Sequence, residues 1–267
     1  MSAHPFDDAL ALTPLGEGRW RGTTSDGYWN MVGPFGGYVA ALLLKTAIDD
    51  PRREGQPVAL TVNFCAAVQK GAFDLVATPV RTGGSTQHWT IALEQDDTVA
   101  ATATALFGAR PETFAATVAT APTAPDPATL DRFTGFDVGW TKRYDLRFAA
   151  GAPDGDGDDD GQSRSLLWIG QRPPRPLDFP ALAAICDIFF GRIIHVRRRM
   201  VPFGTVSMTA YFHATTDDLA AIGTDFVLGD ADARIFDRGL VRRNMERRRT
   251  PARDHPPARL LSRSALS

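Results

Sequence analysis

Apolar and polar positions along this chain fall into two blocks of one design. Between Trp29 and Ile48, WNMVGPFGGYVAALLLKTAI, the residues Tyr38 to Leu44 are consecutive and apolar, so no solvated face is reserved. A helix apolar all round must be enclosed on most sides, and this run falls short of the about twenty residues a bilayer span needs. The pattern predicts a buried core helix from Gly36 to Ile48, roughly 20 Å long at 1.5 Å per residue. Alternation then replaces the helical run. Val58–Val68, Phe73–Arg81, Gln87–Gln95 and Val99–Phe107 read as strands, with β-branched and aromatic residues every second position and turns at Lys70-Gly71, Thr82–Ser85 and Asp96-Asp97. A long buried helix followed by antiparallel strands is an α+β pattern in which the sheet wraps the helix.

The second half repeats the first. Phe179–Phe190, FPALAAICDIFF, is another apolar helical run, and Val206–Phe212 (VSMTAYF) parallels Val58–Phe64 (VALTVNF), with Thr209 matching Thr61 and Phe212 matching Phe64. This internal duplication predicts two helix-plus-sheet units that pair their edge strands into one continuous sheet. The expected divisions are a first unit over residues 1–110, a linker with the first strand of the second unit and an acidic loop over 111–165, a second unit over 166–240, and a tail over 241–267. The parallel breaks near Gly239. Beyond it, arginines crowd at 242, 243 and 247–249, the alternation is lost, and Pro251, Pro256 and Pro257 argue against central strands. The tail is therefore expected to be disordered, as if the end of the chain had been replaced or shifted in frame.

Composition narrows the class only modestly. The 267 residues are 43% hydrophobic and 22% charged with a formal net charge of −2, ordinary values that give no general attraction to nucleic acid. The arginine-rich tail lacks the aromatic residues that stack on bases, which argues against a nucleic-acid partner. Cys65 and Cys186 lie in different halves, so neither a disulfide framework nor a CxxC site is available, and a reducing compartment fits best. MSAHPFDDALAL lacks the basic flank and apolar core of a secretion signal. The expectation is a cytoplasmic protein without a membrane span and without a metal or other cofactor. Asp156, Asp158, Asp160 and Gly161 match half of a calcium loop, but position twelve is Leu167 and the reading is a solvated acidic loop.

Few residues offer chemistry. The sequence has no GxSxG, HExxH or P-loop, and His88, His195 and His213 are scattered. Asp187 stands out between Cys186 and Ile188, where the first block has Leu43. A buried carboxylate is costly without a partner, so Asp187 either faces a cleft and functions or occupies the helix's one solvated stripe. Thr205, at the start of the Val206–Phe212 strand, is a candidate partner or an ordinary strand threonine. Gly36 and Gly37 allow close backbone approach at a helix start, either as a tight turn or as a ligand-facing end with free N–H groups.

With these motifs in place the chain resembles the acyl-CoA thioesterase II-like family, in which two hotdog domains are fused. The resemblance rests on W-x-x-x-G-P-F-G-G-Y at Trp29–Tyr38, L-T-V-N-F at Leu60–Phe64, R-T-G-G-S-T at Arg81–Thr86, R-P-P-R-P-L-D-F at Arg172–Phe179, the helix around Asp187, and T-V-S-M-T-A-Y-F-H at Thr205–His213. It covers roughly residues 15 to 240. It implies a double hotdog with two long helices and hydrolysis of acyl-CoA to free acid and coenzyme A. The family's Asp, Thr and Gln orient the attacking water; the Asp falls on Asp187 and the Thr on Thr205. No glutamine follows Gln171, and Glu246 is the residue nearest the expected position in the closing strand. That departure keeps a non-catalytic acyl-CoA binding module as the alternative. A homo-oligomer is left open.

Overall fold

The computed structural model describes residues 4–118, 120–153, 162–248 and 259–266, with side chains as far as Val241. In chain order the elements are α1 (Pro5–Ala9), β1 (Thr13–Gly16), β2 (Arg19–Thr23), α2 (Gly36–Asp49), β3 (Gln56–Phe64), β4 (Ala72–Thr82), β5 (Thr86–Gln95) and β6 (Thr98–Gly108). Then follow β7 (Tyr144–Ala150), β8 (Ser165–Gln171), α3 (Phe179–Ile185), α4 (Arg192–Arg197), β9 (Thr205–Phe212), α5 (Thr216–Ile222), β10 (Val227–Asp237), β11 (Leu240–Arg248) and β12 (Arg259–Leu266). The strands form one sheet in the order β1-β2-β4-β5-β6-β3-β9-β12-β11-β10-β8-β7. That order is a mirror about the β3–β9 junction, so the duplication legible in the sequence is a duplication of the fold.

The junction joins the two units by main chain and side chain. Thr61 pairs with Thr209 in register, and their hydroxyl oxygens lie 3.0 Å apart. Arg110 donates to the carbonyls of Pro57 at 2.7 Å and Phe212 at 2.6 Å, tying one unit's exit to the other's strand end. Each inner strand finds a partner, which removes two exposed edges.

Period-two burial fills the space around α2. On β5 the residues Gln87, Trp89, Ile91 and Leu93 turn inward while His88 and Thr90 face out, and β4 buries Phe73, Leu75 and Ala77 in the same way. These side chains meet Leu42, Leu43 and Leu44, which are almost fully buried. Tyr38 adds a polar anchor, its hydroxyl donating to the Ala9 carbonyl at 2.9 Å, so α1 is held against the start of α2.

The second helix departs from the expected length. α3 ends at Ile185 with Cys186 as its cap, and the chain leaves helical geometry until α4. Asp187 therefore lies just beyond a short helix and not in the middle of a long one. An apolar run carries no signal of where a helix stops, and tertiary packing decides it. Phe190 seats in an aromatic cluster with Phe133, Phe136 and Trp140, while Phe189 packs where Gly229 has no side chain to block its ring.

The tail needs the larger correction. Leu240–Arg248 pairs with β10, and Arg259–Leu266 pairs with both β11 and β9, closing the sheet of the second unit. The prolines at 251, 256 and 257 all fall between the two strands, so they do not count against either one. The strand was hidden because arginines at the adjacent positions 242 and 243, and again at 247 and 248, leave no alternation of apolar and polar residues to read. The half-match to a calcium loop lies outside the described residues. We expect trypsin to cut after Arg242 and Arg243 at least roughly tenfold more slowly in the folded chain than in urea, since sheet pairing must open first. Mass spectrometry of the early fragments checks this, and equal rates would show that β11 is not formed.

Candidate active site

Three separate stretches converge on one cleft. The first is the loop between Trp29 and Pro34, whose ends form an isolated bridge and whose Asn30 N–H donates to the Gly33 carbonyl at 2.7 Å. It delivers the chain to α2, whose N-cap, Phe35, provides no side-chain hydrogen bond. The first N–H groups of a helix have no carbonyl within it to bond, and here they stand at the positive end of the helix dipole. The second stretch is the turn after α3, carrying Asp187. The third is the start of β9, carrying Thr205. The cleft they line has a volume of about 260 Å³, and its wall is otherwise largely apolar, including Phe64, Trp140, Phe190 and Phe203.

The carboxylate of Asp187 is half-buried and held at close quarters. Thr205 Oγ1 donates toward Asp187 Oδ1 at 3.5 Å. On the other side, a Cβ added to Gly36 would lie 2.6 Å from Asp187 Oδ2, closer than real side chains come. Glycine at 36 is thus what allows the tip of α2, from the first unit, to reach a carboxylate of the second. Gly37 has a different task. A Cβ there would stand 2.2 Å from the Ala184 carbonyl oxygen, so its bareness lets α2 and α3 pack backbone against backbone. Gly36, Asp187 and Thr205 are brought together; Gly37 is turned toward the neighbouring helix.

Glu246 is not brought to this site. The closing strand beside β9 is β12, whereas Glu246 belongs to β11. Its row runs through Leu261 to Tyr211, six residues along β9 from Thr205, a separation of about 20 Å at the rise of a strand. Leu266 and Val241 occupy the Thr205 row instead. Glu246 thus falls one strand before the strand that borders β9, since the run of arginines and prolines shows no division between β11 and β12.

The histidine nearest the cleft is occupied elsewhere. His195 is buried, and Arg192 Nη2 donates to its Nε2 at 2.7 Å. Burial, with the Arg192 and Arg198 charges beside it, pushes the imidazole down to about 3, so it stays neutral above that and accepts the Arg192 bond. Arg192 itself is fully buried and also donates to the carbonyls of Ser163 and Phe190. This pair braces α4 under the cleft. Among the described residues no cluster of three or more His, Cys, Asp or Glu could hold a metal ion.

Sequence reasoning missed Asn30, which lines the cleft and whose Oδ1 accepts from the Trp140 indole at 3.3 Å. Its signal was weak, because Asn30 stands inside the glycine-rich lead-in and Trp140 is more than a hundred residues away. The aromatic wall was equally hidden, since rings from both units meet only after folding.

Comparison with known proteins follows the same halves. Residues 25–108 match the acyl-CoA thioesterase N-terminal domain and residues 116–246 match the acyl-CoA thioesterase C-terminal domain. Among solved structures, a conserved hot dog protein of unknown function from Alicyclobacillus acidocaldarius is 40% identical, with a TM-score of 0.92 over 99% of this chain and 98% of that one. The acyl-CoA thioesterase II TesB2 of Mycobacterium marinum is 18% identical with a TM-score of 0.75 over 98% of this chain and 96% of that one. The tesB protein of Mycobacterium avium subsp. paratuberculosis is 14% identical with a TM-score of 0.76, over 98% and 97% respectively. At those lower identities the likeness is one of fold, the double hotdog. No curated protein matches the chain.

Proposed function

Because this chain belongs to the acyl-CoA thioesterase family, we propose that it hydrolyses acyl-CoA to a free acid and coenzyme A, with Asp187 and Thr205 handling the water. The observation that carries this reading is the Asp187 carboxylate held between the Thr205 hydroxyl and the bare tip of α2, at the wall of an apolar cleft. Water adds to the thioester carbonyl carbon as Asp187 takes its proton, and the carbonyl electron pair moves onto oxygen. When that pair returns, the carbon–sulfur bond breaks and the leaving thiolate takes the proton, giving acid and thiol. Thr205 holds the carboxylate in its orientation for the transfer. The N–H groups at the start of α2 supply partial positive charge where the oxyanion grows. The apolar wall accepts the acyl chain.

A non-catalytic acyl-CoA binder is the second reading, favoured by the distance of Glu246 from Thr205 along the sheet. A reducing compartment, the cytoplasm, suits Cys65 and Cys186, neither of which is in a disulfide. Release of free thiol from short, medium and long acyl-CoAs separates the readings. We expect turnover on at least one chain length at about 1–1000 s⁻¹, the ordinary range for enzymes. Saturable binding with no thiol release on any of them would leave the binder.

A further inference from the structure

We propose that Asn30 is a catalytic residue, its side-chain amide donating to the thioester oxygen beside the N–H groups at the start of α2. This rests on the thioesterase reading and adds a residue to it. Three polar side chains line the cleft among the described residues: Asn30, Asp187 and Thr205. Asp187, ionised, can only accept, and Thr205 directs its one proton to Asp187. Asn30 is thus the side chain left to donate to substrate.

Its orientation is settled by chemistry. An indole nitrogen only donates, so the Asn30 atom facing Trp140 Nε1 at 3.3 Å is the oxygen. The Asn30 NH₂ is then the end that remains for the cleft. The loop that carries it is braced at several points. Asn30 N–H donates to Gly33, Phe35 N–H donates to the Tyr28 carbonyl at 2.8 Å, and Trp140 N–H donates to the Trp29 carbonyl at 3.3 Å. Gly139 makes that last contact possible, since a Cβ there would lie 2.4 Å from the Asp26 carbonyl oxygen. Trp140 is fixed in turn by stacking on Phe35 at 4.5 Å. A donor pinned in this way pays no reorganisation as charge develops on the substrate oxygen, which is when such donors act. As water adds and the carbonyl pair moves to oxygen, that oxygen is held by Asn30 Nδ2–H and the tip of α2. The pair then returns and the thiolate leaves with the proton from Asp187.

The test uses the full chain and the acyl-CoA it turns over fastest. Asn30→Asp keeps the shape and the acceptor facing Trp140 but removes both N–H donors; Asn30→Ala removes the side chain. We expect kcat to fall roughly a hundredfold in each, with KM changed less than about threefold and melting temperature preserved in Asn30→Asp. A purely structural role would lower melting temperature in Asn30→Ala and spare kcat in Asn30→Asp, and that result overturns the assignment. So does a rise in KM with kcat unchanged. If the unaltered chain releases no thiol from any acyl-CoA, the thioesterase reading falls and this assignment with it. If it releases thiol and the variants match it, only the assignment falls.

Discussion

Asp187→Asn lowers acyl-CoA turnover by at least about a hundredfold, the scale expected when a general base is lost. The amide has nearly the shape of the carboxylate and keeps an oxygen that accepts from Thr205, so the 3.5 Å contact survives and folding with it. What disappears is the capacity to take a proton from water. Steady-state kinetics with a thiol reagent, alongside a melting curve, check both halves of the expectation. KM should hardly change, because the apolar wall and the tip of α2 are untouched. Full turnover in the folded variant would remove Asp187 from the mechanism.

The two glycines at the start of α2 give a second pair of large and opposite effects. Gly36→Ala places a methyl 2.6 Å from Asp187 Oδ2, so the carboxylate must move. A displacement near 1 Å at a reacting group costs about a hundredfold in rate, and a half-buried side chain at a cleft wall can shift without unfolding the protein. Gly37→Ala instead sets its methyl 2.2 Å from the Ala184 carbonyl oxygen, which is main chain of α3 and cannot swing away. Alanine is the better helix former by about 1 kcal/mol, but forcing two packed helices apart costs about 1–3 kcal/mol. The net cost of up to about 2 kcal/mol lowers the melting temperature by up to about 8 °C. Gly36→Ala should lose activity and keep its melting temperature, while Gly37→Ala should lose stability first. The reverse pattern, measured by calorimetry and thiol release on the same preparations, would show that the roles of the glycines are exchanged.

How much of this was legible in the chain depended on how local each signal was. The core helix at Gly36 was readable because its apolar run is uninterrupted, and the strands of the first unit because they alternate between short turns. Thr61 and Thr209, matched by position in the repeat, meet in space because the repeat axis passes between β3 and β9. The end of α3 was not legible, since Phe189 and Phe190 leave the helix for packing sites built by distant residues. β11 and β12 were hidden by arginines and by prolines that belong to their connection. The partnership of Asp187 with Thr205 could be expected from family motifs. The contact with Gly36 could not, because only the packing of α2 on α3 brings one unit's helix tip to the other's carboxylate.

The mirror symmetry of the sheet has a consequence for occupancy. A twofold relation between the units would create a twin of the cleft, at the start of α3 facing the far part of α2. Matching Phe179 to Phe35 in the sequence repeat, and Thr209 to Thr61 across the sheet, sets Pro180 against Gly36, Leu43 against Asp187 and Pro57 against Thr205. A proline has no N–H to offer at a helix start, and Leu43 is wholly buried. The start of α3 is stoppered by Asp178, whose carboxylate takes the Ala181 N–H at 2.8 Å. Duplication has thus left the second of the two equivalent places without a counterpart of the Asp187 carboxylate or a bare helix tip, and on the thioesterase reading proposed above each chain offers one place for an acyl group.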